Sequence, residues 1–141
     1  LNITLNLLIV LVYYYALKNL SNGYRNIYYE WTKDMKITSF GALIGLIEDI
    51  ISGSLIGVSA FSKGTVAFLT IQAFNNIFFK WTPLLGCIVI IILTFVDNII
   101  ILGLRKLFLL SSINVFSIAE MILIQTIINL PFGIILKANK K

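Results

Sequence analysis

The sequence has no histidine and a single cysteine, Cys87, which excludes imidazole catalysis, histidine-ligated metals and any disulfide within the chain. Cys87 lies in an apolar run with no second cysteine to complete a metal-binding pair. No GxxxxGK[ST] stretch occurs, so hydrolysis of ATP on a P-loop is excluded, and without histidine or a GxSxG turn no serine-type nucleophile is supported. These absences point away from an enzyme, and no cofactor is implied. Charge is scarce as well: 12% of the residues are charged, against about 25% in soluble domains. No basic run is long enough to suggest a nucleic-acid site. Internal repeats and low-complexity segments are also lacking.

What the chain has is hydrocarbon. Of 141 residues, 59% are hydrophobic, and the mean hydropathy is +0.97. A soluble domain of this size leaves too much of its surface in water to hide so many apolar side chains. The composition therefore predicts an all-α, polytopic transmembrane helix bundle forming a single integral-membrane domain over residues 1–141, with lipid covering the outer faces. A membrane helix needs about 20 apolar residues, and five runs approach that length: residues 1–17, 37–52, 55–79, 84–104 and 113–136. The third stops at Lys80-Trp81-Thr82-Pro83, because proline cannot continue a helix. The fifth contains Pro131, which a membrane helix tolerates when neighbours satisfy the freed carbonyl. The first run is already under way at Leu1, and no small-residue cleavage site follows it, so a further helix upstream is expected and a signal peptide is not.

The basic residues give the orientation. Lys18, Arg25, Lys33, Lys36, Lys80, Lys137, Lys140 and Lys141 fall on one side, whereas only Arg105 and Lys106 fall on the other, and Lys63 lies within the third run. The first side, with the C-terminus, should be cytoplasmic. All six tyrosines and both tryptophans lie near it, as an interfacial belt does. Residues 24–35 are read either as an interfacial amphipathic helix with Tyr24, Ile27, Tyr28, Trp31 and Met35 on one face, or as an aromatic-rich loop.

Four acids stand in apolar context: Glu48, Asp49, Asp97 and Glu120. An ionised side chain at a bilayer centre costs about 2.5–3.5 kcal/mol on insertion scales, so such residues face a bundle interior or a water-filled cavity. Asp97 is expected to make a buried polar contact with another helix, and Glu120 to sit near the outer surface within reach of headgroups. Asp49 occupies the middle rung of a ladder with a step of four, Gly41, Gly45, Asp49, Gly53 and Gly57. Glycines at that spacing let another backbone approach closely. Each step of four overshoots a turn by about 40° at about 3.6 residues per turn, so the ladder cannot be one straight stripe. Ser52-Gly53-Ser54 is the expected place for a bend. A turn there would bring Lys63 back towards Asp49 or Glu48, and pairing across a tight helical hairpin is the expectation. The bland alternative is that the glycines only pack helices and the acids sit among headgroups.

The stretch Gly41–Leu69, GALIGLIEDIISGSLIGVSAFSKGTVAFL, resembles the signature of the MreD family, the rod shape-determining membrane proteins of bacteria, which reads roughly GxxxGLxxDxxSGxxxGxxALSKTxVGFL. Gly41, Gly45, Leu46, Asp49, Ser52, Gly53, Gly57, Ala60, Ser62, Lys63, Val66, Phe68 and Leu69 fall on it, while Glu48, Phe61, Gly64 and Ala67 depart from it. Upstream, NLLIVLVYYYALK is similar to the family's first apolar block. The resemblance implies a non-enzymatic scaffold of the cell-elongation machinery in the bacterial cytoplasmic membrane, bound to an MreC-like protein, with the actin-like MreB, the peptidoglycan-synthesising RodA and its transpeptidase as the wider set of partners. It also implies a helix-packing face of Gly41, Gly45 and Gly53, with Asp49 as a buried polar anchor. The competing expectation is a substrate-binding membrane subunit of an energy-coupling-factor vitamin transporter, in which Asp49, Asp97 and Glu120 would line a ligand pocket.

Overall fold

The computed structural model describes residues 7–19, 27–74, 82–109 and 115–136. Within them the chain is all-helical, with five helices and no strand: α1 (Leu7–Lys18), α2 (Ile27–Ser52), α3 (Val58–Gln72), α4 (Pro83–Leu109) and α5 (Val115–Ile135). The composition dictates local starts and stops. Lys18 in the last turn of α1 offsets the negative end of the helix dipole. Pro83 opens α4 at its first helical position, where a missing N–H costs nothing, and the Thr82 hydroxyl accepts the Leu85 amide at 3.3 Å.

Helix α3 is central and packs against α1, α2 and α4, while α5 packs mainly on α4. The core gathers Ile9, Val12, Tyr13, Ala16 and Leu17 from α1, Val66, Ala67, Ile71 and Phe74 from α3 and beyond, and Val89, Ile90 and Leu93 from α4. Tyr15 stacks on Phe40 at 3.9 Å between ring centroids and ties α1 to α2.

Two expectations change. The second element starts ahead of residue 37, because α2 begins at Ile27 and continues unbroken to Ser52, so of the two readings of residues 24–35 the described part is helix. No proline or glycine lies between Ile27 and Phe40, so nothing stops the helix, and polarity alone does not break one. The third element also starts later than residue 55, at Val58 after a turn. Tyr24, Arg25, Lys80, Trp81 and residues 137–141 lie outside the described residues. Among the described residues one helix, over Pro83–Phe108, is long and apolar enough to cross a membrane by length and composition, with shorter apolar helices at Leu7–Lys18 and Ala119–Ile135.

Polar and charged side chains are buried alongside the apolar core, and many large apolar side chains are exposed. Asp49, Lys63 and Asp97 are fully buried, together with Ser59, Ser62, Thr70, Thr94, Asn98, Gln125 and Asn129. Meanwhile Ile50, Ile51, Ile56, Phe61, Leu84, Ile92, Phe95 and Ile127 are exposed. Scattered exposed apolar residues are ordinary, but outward faces that are apolar around buried charges are not.

Candidate functional site: the α2–α3 hairpin and its polar interior

The hairpin is built on glycine. Gly41 and Gly45 are buried on the face of α2 that meets α3. A Cβ at Gly41 would lie 2.6 Å from the Lys63 carbonyl oxygen and 2.9 Å from the Ala67 Cβ. At Gly45 it would overlap the Ser59 carbonyl outright. The two backbones are therefore in contact at both positions, the arrangement that small residues four apart permit. Gly53 and Gly57 act differently. Both have positive φ, 61° and 103°, with open space where a Cβ would be. They turn the chain between the helices, which is the use of glycine's left-handed freedom, and take no part in the packing face expected of Gly53.

Asp49 closes the turn. Gly57 sits in the N-cap position of α3 and has no side chain to satisfy the orphan amides. The Asp49 carboxylate supplies the acceptor from across the turn. It accepts the Gly57 amide at 2.8 Å, the Ser59 amide at 3.1 Å through each oxygen and the Ala60 amide at 3.4 Å. The Ser54 hydroxyl adds a fourth donor at 3.0 Å, and the Ser52 hydroxyl lies 3.1 Å from that of Ser54. A carboxylate at a helix N-terminus is also favoured by the dipole. Asp49 is thus held from α2 as a remote cap for α3, and this explains how a fully buried acid is accommodated.

Lys63 pairs with Glu48 and not with Asp49. Its side chain is fully buried and that of Glu48 is partly exposed, so the pair joins the two arms of the hairpin one turn of α3 beyond the cap. Asp97 belongs to a separate contact: it accepts the Ser62 hydroxyl at 2.6 Å and links α3 to α4. Glu120 is exposed on α5 and joins none of these groups.

A second polar seam, between α4 and α5, was not apparent from the acids. The Asn98 amide donates to Gln125 Oε1 at 2.8 Å, and the Asn129 amide donates to the Thr94 hydroxyl at 3.2 Å. Thr94 and Asn98, like Gln125 and Asn129, are four apart, and each pair forms one rung-and-rail stripe in an apolar helix. That spacing was the signal available in the sequence. Close backbone approach recurs here, since a Cβ at Gly133 would lie 2.9 Å from the Gly86 carbonyl oxygen.

Chemically, the site is structural in kind: each buried acid is committed to a neighbouring helix. Asp49, Asp97 and Glu120 do not converge on one cavity. No group of three or more metal-ligating side chains occurs among the described residues. Comparison with protein-family models, with curated proteins and with solved structures finds no match for this chain.

Proposed function

We propose that this chain is a polytopic membrane helix bundle that acts as a non-enzymatic scaffold of the bacterial cell-elongation machinery, placed in the cytoplasmic membrane with its C-terminus cytoplasmic and bound to an MreC-like partner. MreB, RodA and its transpeptidase are the wider assembly on this reading. The distribution of polarity supports the membrane half of the proposal: Asp49, Lys63, Asp97, Gln125 and Asn129 are buried, each against a polar partner on a neighbouring helix or turn, while many Ile, Leu and Phe side chains are exposed. Lipid is the solvent that suits such a surface.

One observation carries the scaffold half. The residues on which the MreD-like resemblance rests, Gly41, Gly45, Asp49, Ser62 and Lys63, are consumed in fixing the hairpin and its attachment to α4. A hairpin whose Glu48 and Asp49 are both committed to α3 suits a protein that presents a shaped surface to partner helices. Co-purification from detergent-solubilised membranes with a tagged MreC-like partner tests this. Recovery of a stoichiometric complex is expected. Failure to co-purify, together with tight binding of a vitamin-sized ligand, overturns the scaffold in favour of a transporter subunit.

A further inference from the structure

We infer that the outward stripe of α5, formed by Glu120, Leu123, Ile127, Pro131 and Ile134, receives a membrane-spanning helix of the partner protein. That helix carries a Lys or Arg level with Glu120 and a hydroxyl or amide side chain about two turns deeper. The inference rests on the scaffold reading above and assigns the surface at which the partner is met. Helix α5 lies at the edge of the bundle and packs mainly on α4. The contacts Asn98–Gln125 and Thr94–Asn129 and the close approach of Gly133 to Gly86 fix which face of α5 turns inward. The five stripe residues are all exposed. They recur at steps of three or four, the spacing of a seam between two packed helices.

Two polar features of the stripe say what covers it. Pro131 stands inside α5 and has no N–H, so the Ile127 carbonyl loses its regular helical donor. That carbonyl lies along the helix surface between Ile127 and Pro131, both exposed, where α4 does not reach it. In hydrocarbon such a freed group is costly, and a neighbouring helix is what satisfies it. Glu120 is the second feature: it is exposed, and among the described residues the ion pair is that of Lys63 with Glu48. An anion and an acceptor about 10 Å apart along one face, at about 1.5 Å per residue, call for a cation and a donor on the occupant. Acyl chains offer neither. A second copy, inserted in the same orientation, does not supply the set. The Asn98–Gln125 pairing puts Glu120 level with Gly103 and Ile127 level with Val96. Arg105 and Lys106 of a second copy lie near the first level, but the exposed side chains around the second are Ile92, Phe95 and Ile99, which hold no donor. Packing α5 on α5 sets Glu120 opposite Glu120, a like-charge contact.

The test uses the full chain co-expressed with the tagged MreC-like partner, with the photo-crosslinking residue p-benzoylphenylalanine placed at Ile127 or, as a control, at Leu43, which is exposed on α2. Irradiation should join position 127 to the partner's membrane-spanning segment, located by mass spectrometry. Position 43 should give no such adduct. Without the crosslinker, Glu120→Gln and Pro131→Ala should each lower the partner recovered about threefold, the effect of an average polar contact in a membrane bundle. Pro131→Ala returns an N–H to the Ile127 carbonyl, so this variant alone should melt at a higher temperature in detergent while binding the partner less well. A merely structural proline would move both readouts the same way. Adducts from position 43 alone, adducts joining two copies of the chain, or unchanged recovery with either variant overturn the seam and leave the scaffold reading standing. Failure of the parent chain to co-purify with the partner overturns both.

Discussion

The Asp49 carboxylate receives the Ser59 amide through both of its oxygens, each at 3.1 Å, so the end of α2 serves as the cap of α3. Neither helix end is complete alone. Removing the carboxylate leaves the part-buried amide of Gly57 and the buried amides of Ser59 and Ala60 without their acceptor. Asp49→Ala should destabilise the chain by about 2–4 kcal/mol, from loss of a helix cap and of hydrogen bonds to a charged group. Asp49→Asn keeps one acceptor oxygen and should cost roughly half as much. Reversible unfolding in mixed detergent micelles measures both, and equal stability of Asp49→Ala and the parent would remove the cap from the account.

Gly45 and Gly64 offer a contrast within one hairpin. A Cβ at Gly45 meets the Ser59 carbonyl, whereas at Gly64 the nearest atom, the Ala42 Cβ, is 3.6 Å away. Gly45→Ala must push the helices apart and should cost about 1–3 kcal/mol, the range for overpacking. Gly64→Ala finds ordinary contact and gains helix propensity, so it should be neutral or stabilising by up to about 1 kcal/mol. The same unfolding assay ranks them, and the order should not reverse.

For the buried ion pair, single and paired changes part company. Lys63→Met strands Glu48, and Glu48→Gln strands Lys63; each should cost about 3–5 kcal/mol. The double variant Glu48→Leu/Lys63→Met should recover most of that loss. The swap Glu48→Lys/Lys63→Glu should accumulate better than either of its single variants, while Asp49→Lys/Lys63→Asp should not, since Asp49 binds amides and not the ammonium. Accumulation in membranes, read by immunoblot, distinguishes the two swaps.

Between α4 and α5, a double-mutant cycle on Asn98→Leu and Gln125→Leu should return a coupling of about 0.6 kcal/mol, the average for polar pairs in membrane bundles. A cycle on Asn98 and Glu120 should return none, because Glu120 is exposed and outside the seam. Coupling at the second pair would mean that α5 is packed in another rotation.

Much of this arrangement could be read in the residues. The step of four in the glycine ladder and the Ser-Gly-Ser break announced a hairpin, and backbone sterics make that inference local: glycine at a turn and glycine at a crossing both follow from the absence of a Cβ. What could not be read was which partner each acid takes. Glu48 and Asp49 are adjacent, and 100° of helix rotation decides that one meets Lys63 and the other the α3 amides. The start of α2 at Ile27 was open for a different reason, since a charged and aromatic stretch fits a helix or a loop, and only the lack of proline and glycine between Ile27 and Phe40 favours the helix. The α4–α5 seam was overlooked because neutral amides in an apolar run change hydropathy little, although Thr94, Asn98, Gln125 and Asn129 share the four-residue spacing that marks a buried stripe.

The proposed function sets this bundle in lipid. Alkaline carbonate extraction of membranes from cells expressing the full chain tests that most directly. The chain should remain in the membrane pellet and be released only by detergent. Its appearance in the carbonate supernatant as folded, helical protein would contradict the account at its centre.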